Sequence, residues 1–376
     1  MDFLLDSEQT ALRDAVRGLL KGYDGEHRRE VTREDPGFDE KMWGRLAEMG
    51  VLGLPFSEDD GGMGAGPIEL SVVVEEIGRV NAPEPYVESV VVAGGLVAAL
   101  GTPAQKKEVL GALSAGELVL AAALHEPEGR WDLAAGGVTE SDGRLTGVKE
   151  PVLGGGRADR LVVSATTSAG EVGLFLVEPG DGVTVSSYTT LDGTRAARIV
   201  LDGAAATPLG DGSTDAVVPL ERVVAAAKIA YCHEALGLME SALKLTTEYL
   251  TTRQQFGMTL NRFQALTFRA ADMYTSVQLT RSIVMWASMV LADRSSSPEQ
   301  VTEAARRAKL QVSKAGRHVG QEAIQLHGGI GMTAEYAVGH YTSRLTVIDH
   351  LLGDGREQTS HLAEHLTDYD VVEPLP

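Results

Sequence analysis

Residues 252–264 read TRQQFGMTLNRFQ, and residues 325–331 further along the chain read QLHGGIG. In the first stretch, Arg253 precedes a Phe-Gly pair and a Phe-Gln pair at the end of an apolar helical pattern, so a cation and a glutamine amide lie beside a tight turn. In the second stretch, a glycine cluster interrupts a helical pattern and leaves backbone amides open to close approach by a ligand. Each stretch alone is also typical of an ordinary helix C-terminus. Together, an arginine and bare amides suit a pyrophosphate group.

The order RxxFG, FQ and then QxxGGxG resembles the C-terminal domain of the acyl-CoA dehydrogenase family, and the resemblance extends over nearly the whole chain. It implies FAD as the cofactor, with Arg253 at the pyrophosphate, Phe256 packed near the cofactor and Gln264 towards the adenine. The residues that the resemblance assigns to FAD binding are Arg253, Phe256, Gln264, Gln325, Gly328 and Gly329. In this family these groups reach across a subunit interface to the neighbouring flavin, so the resemblance also implies an oligomer.

Hydrophobic periodicity divides the chain into three parts, which we expect to be domains 1–118, 119–215 and 216–376. The first part is helix and loop. The second contains short β-rich segments separated by Gly, Asp and Pro turns, which predict a small antiparallel barrel or sandwich. The third predicts a four-helix bundle, with helical segments around residues 223–250, 262–292, 298–326 and 340–365. This α+β architecture resembles that of the family, which has an N-terminal helical domain, a middle β-domain and a C-terminal four-helix bundle.

The composition argues against several classes of function. A net charge of −20 disfavours nucleic acid or an anionic membrane as a partner, because both attract basic surfaces. The same acidity also serves solubility. The single cysteine, Cys232, excludes an internal disulfide framework, and no spaced Cys/His set predicts a metal site. No apolar segment reaches the roughly 18 residues of a membrane span and no signal-peptide pattern is evident, so we expect a cytoplasmic protein.

The segment expected beside the flavin ring departs from the family pattern. The family has a Thr-Glu-Pro-Gly stretch at the start of the β-domain and an aromatic-x-Thr triplet one strand later, whose hydroxyls and amides hydrogen-bond the ring. Here residues 125–128 read His-Glu-Pro-Glu, and residues 151–153 read Pro-Val-Leu. Leu153 has no hydroxyl, which weakens the prediction that this chain's own β-domain binds the ring. Backbone amides are the alternative donors.

The catalytic base is the second departure. The resemblance implies a carboxylate that removes the α-proton of an acyl-CoA thioester while the β-hydrogen leaves as hydride to FAD. One expected position directly follows the arginine of RxxFG and is Gln254, an amide that accepts no proton. The other lies in the loop HLLGDGREQ (350–358), where Asp354 is the carboxylate nearest the expected place. An Asp-Gly pair is also common turn chemistry, so both interpretations of Asp354 stay open.

These features predict a subunit of a flavin-dependent acyl-CoA dehydrogenase that contributes FAD contacts across an interface. Without a glutamate at either base position, the chain resembles the base-poor partner in actinobacterial α2β2 acyl-CoA dehydrogenases that act on CoA thioesters of steroid side chains. The alternatives are a self-sufficient homo-oligomeric dehydrogenase with Asp354 as the base, and a flavin oxygenase on the same fold. The implied partners are an acyl-CoA thioester, an electron-transfer flavoprotein or similar acceptor, and a second copy or a second subunit.

Overall fold

Two helical parts flank a β-sheet in the computed structural model, which describes residues 4–133, 136–212 and 215–365. The first helical part contains α1 (Ser7–Leu19), α2 (Gly25–Arg33), α3 (Glu40–Glu48), α4 (Pro67–Val80), a π-helix (Val87–Gly94) that continues as α5 (Gly95–Leu100), and α6 (Pro103–Ser114). Polar N-cap residues start several of these helices. Asp6 and Thr102, for example, each accept a hydrogen bond from a first-turn amide that the helix itself leaves unpaired.

The middle part is a single sheet. Its strands are β1 (Leu120–Ala123), β2 (Thr139–Ser141), β3 (Arg144–Leu153), β4 (Arg160–Thr166), β5 (Val172–Val177), β6 (Val183–Thr189), β7 (Arg195–Ala205) and β8 (Thr207–Pro208). The order is β6-β7-β3-β2-β4-β5-β8, with β1 beside β4. The sheet is not wholly antiparallel as predicted, because β1 and β2 both pair with β4 in parallel. The predicted domain boundaries fall between elements and stay predictions.

The third part is a helical bundle. It contains α7 (Val217–Thr252), a hairpin of β9 (Gln254–Gln255) and β10 (Met258–Thr259), α8 (Gln264–Ala292), α9 (Pro298–His327), α10 (Ala337–His350) and α11 (Gly355–Glu364). The segment predicted as one helix over 340–365 is interrupted after His350. Leu352 and Gly353 have positive φ angles of 56° and 101°, and Asp354 caps α11. The predicted bundle beyond residue 365 lies outside the described residues.

Two glycines let α4 and α7 pack backbone against backbone. A Cβ atom on Gly78 of α4 would lie 2.2 Å from the carbonyl oxygen of Glu234, and one on Gly237 of α7 would lie 2.2 Å from that of Glu75. The obstacle in each case is backbone, which close packing prevents from moving aside. The first and third parts of the chain therefore meet at a distance that excludes any side chain at these two positions.

A buried arginine joins all three parts of the chain. Arg344 of α10 donates to the two carboxylate oxygens of Glu234 in α7 at 2.6 and 3.0 Å, and to Asp192 between β6 and β7 at 3.0 Å. Glu88 of the π-helix lies 3.7 Å from the same guanidinium and accepts a hydrogen bond from Tyr231. Burial opposes charge on Asp192, yet Arg344 and neighbouring threonine hydroxyls hold the pKa of that carboxyl below its usual value.

We expect Arg344→Met to destabilise the fold strongly, because it leaves buried carboxylates without their cation. Removing one partner of a buried ion pair costs about 3 to 5 kcal/mol, so the urea unfolding midpoint should fall well below that of the unchanged protein. Arg317→Met is the matched control, since Arg317 is exposed and lies 3.7 Å from Asp349. Equal unfolding free energies in the two variants would show that Arg344 does not hold the three parts together.

Candidate functional site

The first group of predicted FAD contacts lies where α7 ends. The backbone carbonyl of Arg253 accepts a hydrogen bond from Leu260 at 2.9 Å, which closes the hairpin of β9 and β10. Phe256 and Gly257 form its turn with positive φ angles of 52° and 80°, and the Phe256 ring is 87% exposed while it contacts Phe263 edge-on. A bulky side chain in this backbone conformation, turned to solvent, indicates a contact with another molecule.

The second group lies where α9 ends. Gln325 is exposed on the last turn of α9, and Gly328 ends the helix with a φ angle of 63°. Cβ atoms added to Gly328 or Gly329 would meet no atom within 4 Å, so a ligand can approach the backbone there. His327, just before them, is buried, and its Nδ1 donates to the carbonyl oxygen of Ala323 at 2.7 Å.

An aromatic stack brings these two groups together. His327 lies between Tyr249, in the last turn of α7, and Tyr336, before α10, with ring-centroid distances of 4.6 and 4.9 Å. Tyr249 is about one helical turn before Arg253. Gln264, the first residue of α8, is exposed at the same end of the bundle. The structure thus places all six residues predicted to contact FAD at one end of the bundle, which we call the bundle end.

A cavity of about 1150 Å³ lies at the other end of α7, between the sheet and the bundle. Its wall combines the first turns of α7, the first turns of α9, α11 and the loop after β1. Leu220, Glu221, Lys228, Arg306 and Leu352 are among the side chains that line it. This volume slightly exceeds the range of about 300 to 1,000 Å³ that is typical of small-molecule and cofactor sites.

A smaller chamber of about 100 Å³ adjoins the cavity and includes the segment predicted to lie beside the flavin ring. Pro151 and Leu153 of β3 and Leu352 line it, and the Leu153 side chain supplies no hydroxyl. Trp131, in the loop after β1, donates from Nε1 to the carbonyl oxygen of His350 at 2.8 Å. An indole therefore connects the sheet side of the chamber to the loop after α10.

The loop after β1 is held by its own glutamate. Glu126 accepts hydrogen bonds from the amides of Gly137 and Val138 at 2.7 and 3.1 Å and from the Lys149 amine at 2.9 Å. Burial opposes charge on Glu126, but these donors hold its pKa below the usual value. His125 is buried and its Nδ1 lacks a partner in the described chain; burial lowers its pKa to about 4, so the ring is neutral at physiological pH.

The two predicted base positions lie at opposite ends of α7. Gln254 is exposed in the hairpin at the bundle end and does not line the cavity. Asp354 lies close in sequence to the cavity residue Leu352, but its Oδ1 accepts hydrogen bonds from the amides of Arg356 and Glu357, both at 2.9 Å. The carboxylate of Asp354 is thus engaged as the N-cap of α11, which favours the turn interpretation of this residue.

Glu221 is a candidate base that the sequence reasoning missed. It lies near the start of α7 on the wall of the cavity, to which Leu352 also belongs. It is exposed, and within the residues that the structure describes no hydrogen bond or ion pair engages its carboxylate. A free carboxylate on a cavity wall has the chemistry that proton abstraction requires. No signal in its neighbouring sequence marks it, because only the packing of the sheet against the bundle brings it to the cavity.

Lys309 holds the loop that follows α10. Its buried Nζ donates to the carbonyl oxygens of Ile348, Asp349 and Gly353 at 2.7, 2.9 and 3.1 Å. Burial lowers the pKa of this amine to about 8. The carbonyls at a helix C-terminus otherwise lack partners and attract a cation. Lys309 therefore fixes the loop in which Leu352 borders both the cavity and the chamber.

A Ser-His-Glu arrangement is buried elsewhere in the fold. His233 Nε2 lies 2.7 Å from Ser288 Oγ, and His233 Nδ1 lies 3.4 Å from Glu75 Oε2. Ser288 and His233 are 0% and 1% exposed, so no substrate reaches the hydroxyl. These side chains satisfy one another's hydrogen-bonding groups in the space between α4, α7 and α8. We therefore interpret them as a structural hydrogen-bond network rather than a nucleophilic triad.

The described residues include no candidate metal-binding cluster, and the one cysteine is not activated. No group of His, Cys, Asp and Glu side chains in residues 4–133, 136–212 and 215–365 could hold a metal ion. Cys232 is buried, and burial raises its pKa to about 12, so the thiol stays protonated. Within the same residues, every helix is too short or too polar to pass through a lipid bilayer.

Comparisons with known proteins agree with the motifs at the end of the bundle. Residues 6–117 match the family described as acyl-CoA dehydrogenase, N-terminal domain, and residues 218–367 match acyl-CoA dehydrogenase, C-terminal domain. The chain belongs to the acyl-CoA dehydrogenase family. Its cofactor is FAD, as the sequence motifs predicted.

Similar proteins match along nearly their whole length. Acyl-CoA dehydrogenase FadE27 of Mycobacterium tuberculosis is 30% identical over 349 residues, which are 91% of this chain and 92% of FadE27. Acyl-CoA dehydrogenase IpdE2 of the same organism is 29% identical, covering 93% of this chain and 94% of IpdE2. Among solved structures, the Tcur3481-Tcur3483 steroid ACAD G363A variant has a TM-score of 0.86 at 30% identity, covering 96% of this chain and 98% of that one. The ChsE4-ChsE5 complex from M. tuberculosis has a TM-score of 0.87 at 27% identity, covering 99% and 100%.

The bundle end of this acyl-CoA dehydrogenase chain fits part of FAD. Within the described residues, no hydrogen bond or ion pair engages the Arg253 guanidinium, and α8 begins at Gln264 without a side-chain cap. A free guanidinium and the uncapped N-terminus of a long helix both favour a phosphate. The open backbone at Gly328 and Gly329 lies at a helix C-terminus, whose partial negative charge favours a neutral part of the dinucleotide instead.

We expect Lys309→Met to loosen the loop after α10, because three backbone carbonyls lose their donor. Leaving buried polar groups unsatisfied costs about 1 to 3 kcal/mol, so urea denaturation should show a lower unfolding free energy. Amide hydrogen exchange at residues 349–354 should also accelerate. Lys314→Met, at an exposed position of the same helix, is the control and should change neither quantity. Unchanged exchange in Lys309→Met would show that other contacts hold the loop.

Proposed function

We propose that this chain is a subunit of a flavin-dependent acyl-CoA dehydrogenase whose bundle end binds FAD across a subunit interface. When bound, FAD accepts the β-hydrogen of the acyl group as hydride. The protein binds the CoA thioester, excludes water and supplies the base that removes the α-proton. The cavity between the sheet and the bundle has the volume for such a ligand.

The length of α7 is the observation that carries the proposal. Glu221 near its start lines the cavity, and Arg253 follows its last residue. At about 1.5 Å per residue, these two positions are about 48 Å apart along the helix axis. An extended FAD molecule is shorter than this separation, so a single FAD cannot contact both. Arg253 is therefore expected to serve a cofactor whose reactive ring lies on another subunit.

The surface around the bundle end supports an oligomer. Large apolar side chains exposed on the hairpin, on α8 and after α9 are Phe256, Met258, Phe268, Tyr274, Leu279, Ile330 and Met332. An apolar surface of this extent marks a protein interface rather than a solvated face. Both solved structures named above are of two differently named chains, which supports a second, non-identical subunit as the partner. The steroid class in one of those names supports a steroid side-chain CoA thioester as the substrate class.

The source of the base separates two versions of this function. In the first, the partner subunit supplies it, which is supported by the engagement of the Asp354 carboxylate as the N-cap of α11. In the second, this chain is self-sufficient, which is supported by the free Glu221 carboxylate on the cavity wall. We favour the first version, because Leu153 offers no hydroxyl beside the predicted flavin ring and the Asp354 carboxylate is already engaged as a helix cap.

We expect Arg253→Ala to lower the FAD content of the assembly that this chain forms. A charge-assisted hydrogen bond contributes about 1.5 to 3 kcal/mol, so FAD should bind roughly ten- to a hundredfold more weakly. The flavin-to-protein absorbance ratio after gel filtration measures this change. Gln325→Ala should lower the ratio to a smaller extent, because it removes a neutral contact.

The control for FAD binding is Arg294→Ala, an exposed arginine between α8 and α9, away from the bundle end that carries the motifs. Its flavin ratio should equal that of the unchanged protein. If Arg253→Ala and Gln325→Ala also retain the full ratio, the assignment of the bundle end to FAD fails. Light scattering on the same samples gives the oligomeric state, and a single monomeric species that retains FAD would refute binding across an interface.

Flavin reduction by acyl-CoA without oxygen tests the source of the base. We expect the chain alone to leave its flavin oxidised with octanoyl-CoA and with a steroid side-chain CoA thioester, because a positioned base contributes about 10² to 10⁴-fold to the rate. Reduction should follow when a glutamate-bearing second subunit is added. That reduction should persist in Glu221→Gln and in Asp354→Asn, since neither carboxylate is then the base.

Each other outcome identifies a different mechanism. Reduction by the chain alone that is lost in Glu221→Gln, with FAD still bound, would make Glu221 the base and establish the self-sufficient version. The same loss in Asp354→Asn would assign the role to Asp354. Flavin that stays oxidised with every acyl-CoA and every partner, yet reacts with oxygen after chemical reduction, would favour an oxygenase.

A further inference from the structure

The wall of the large cavity contains two half-buried cations without hydrogen-bond or ion-pair partners in the described chain, Lys228 of α7 and Arg306 of α9. No hydrogen bond or ion pair engages the Lys228 amine, and the buried Nε of Arg306 also lacks a hydrogen-bond partner. Buried cations are normally paired, because removing a charge from water is costly. Two unpaired cations on one wall therefore indicate an anion that comes from outside the chain. We call these two residues the cation pair.

The neighbouring groups do not neutralise the cation pair. Glu357 is the carboxylate whose charge raises the pKa of both Lys228 and Arg306, but none of its oxygens forms an ion pair with either side chain. Its Oε1 lies 2.9 Å from His361 Nε2 instead. Glu221 acts on the arginine alone. Behind the lysine lie Lys309, a third cation, and the protonated thiol of Cys232. Burial and the adjacent cations lower the pKa of the cavity lysine to about 8, as expected for a cation without a counter-ion.

We propose that the cation pair binds an oxyanion of the ligand inside the cavity, either a carboxylate on the acyl group or a phosphate of CoA. The inference rests on the proposed acyl-CoA function, because it names the part of the thioester that this wall recognises. Carboxylate and phosphate oxygens share the required chemistry, since both accept charge-assisted hydrogen bonds from an ammonium and a guanidinium.

Binding of non-reactive thioesters distinguishes the two sources. The probes are 3-thiapentanoyl-CoA and 3-thiaglutaryl-CoA, which differ by one terminal carboxylate and cannot be dehydrogenated because sulfur replaces the β-carbon. Free CoA is the third probe. Calorimetric titration uses the FAD-containing assembly with Lys228→Met, which removes the charge at similar volume, and Lys228→Arg, which keeps it. Lys244→Met is the matched control, because Lys244 is an exposed residue of the same helix.

If the acyl carboxylate is the ligand group, Lys228→Met weakens 3-thiaglutaryl-CoA roughly tenfold and leaves the other two probes unchanged, as expected for one lost charge-assisted contact. If a CoA phosphate is the ligand group, all three probes weaken by a similar factor. Lys228→Arg should retain binding in both cases. Removing an unpaired buried cation should not lower the thermal midpoint, so weaker binding cannot be attributed to unfolding.

Dissociation constants for all three probes that agree within about twofold between Lys228→Met and Lys244→Met would overturn the proposal of an anion site. In that case the unchanged protein still binds the thioesters, and the proposed acyl-CoA function stands. An unchanged, FAD-loaded assembly that binds none of the three probes would instead refute the acyl-CoA function, and the anion site with it.

Discussion

The ion cluster around Arg344 is the constraint on which the placement of the three parts depends. A planar guanidinium donates hydrogen bonds only in fixed directions. Here the carboxylates around it belong to α7, to the β6–β7 connection and to the π-helix. Asp192 and Glu234 are too deeply placed to be hydrated, so they require that cation. The cavity lies between the sheet and the bundle, and its shape is therefore fixed by the same cluster.

The loop after α10 connects the packing of the three parts to the cavity and the chamber. Leu352 holds a positive φ angle of 56°, an unfavourable conformation for a leucine that only surrounding contacts can maintain. Lys309 supplies these contacts from the bundle through three carbonyls, and Trp131 supplies one from the sheet side through His350. The loop is thus anchored by two parts of the chain at once, and it borders both the cavity and the chamber.

Local pattern predicted much of the fold, and the site only in part. The RxxFG and QxxGGxG motifs predicted FAD through their resemblance to the acyl-CoA dehydrogenase family, whereas the local chemistry of an arginine and bare amides indicated only a pyrophosphate. The break between α10 and α11 was missed, because Gly353 and Asp354 lie within a pattern that is otherwise helical. Strands β2 and β8 have too few residues to show alternation.

Residues brought together only by tertiary structure were harder to predict. Glu221 joins the cavity wall through the packing of the sheet against the bundle, and nothing in its neighbouring sequence distinguishes it from a solvated helix position. For Asp354, the sequence predicted the position of the loop but not the role of the side chain, because the carboxylate caps the following helix. Lys228 and Arg306 are far apart in sequence, so only the meeting of α7 and α9 shows that both are unpaired on one wall.

The separation of the two ends of α7 also explains how a subunit of this family can lose its base and remain useful. If each FAD needs a bundle end from one chain and a cavity from another, then FAD contact and proton abstraction can change independently in a given chain. A change beside Leu153 alters the chamber of its own chain and leaves Arg253 and the hairpin intact. A pair of different chains can therefore divide the work, one keeping the base and the other keeping the cross-interface contacts. The exposed Phe256 ring supports the retention of cross-interface contacts. A buried phenyl ring would contribute to folding, whereas an exposed one contributes only to binding.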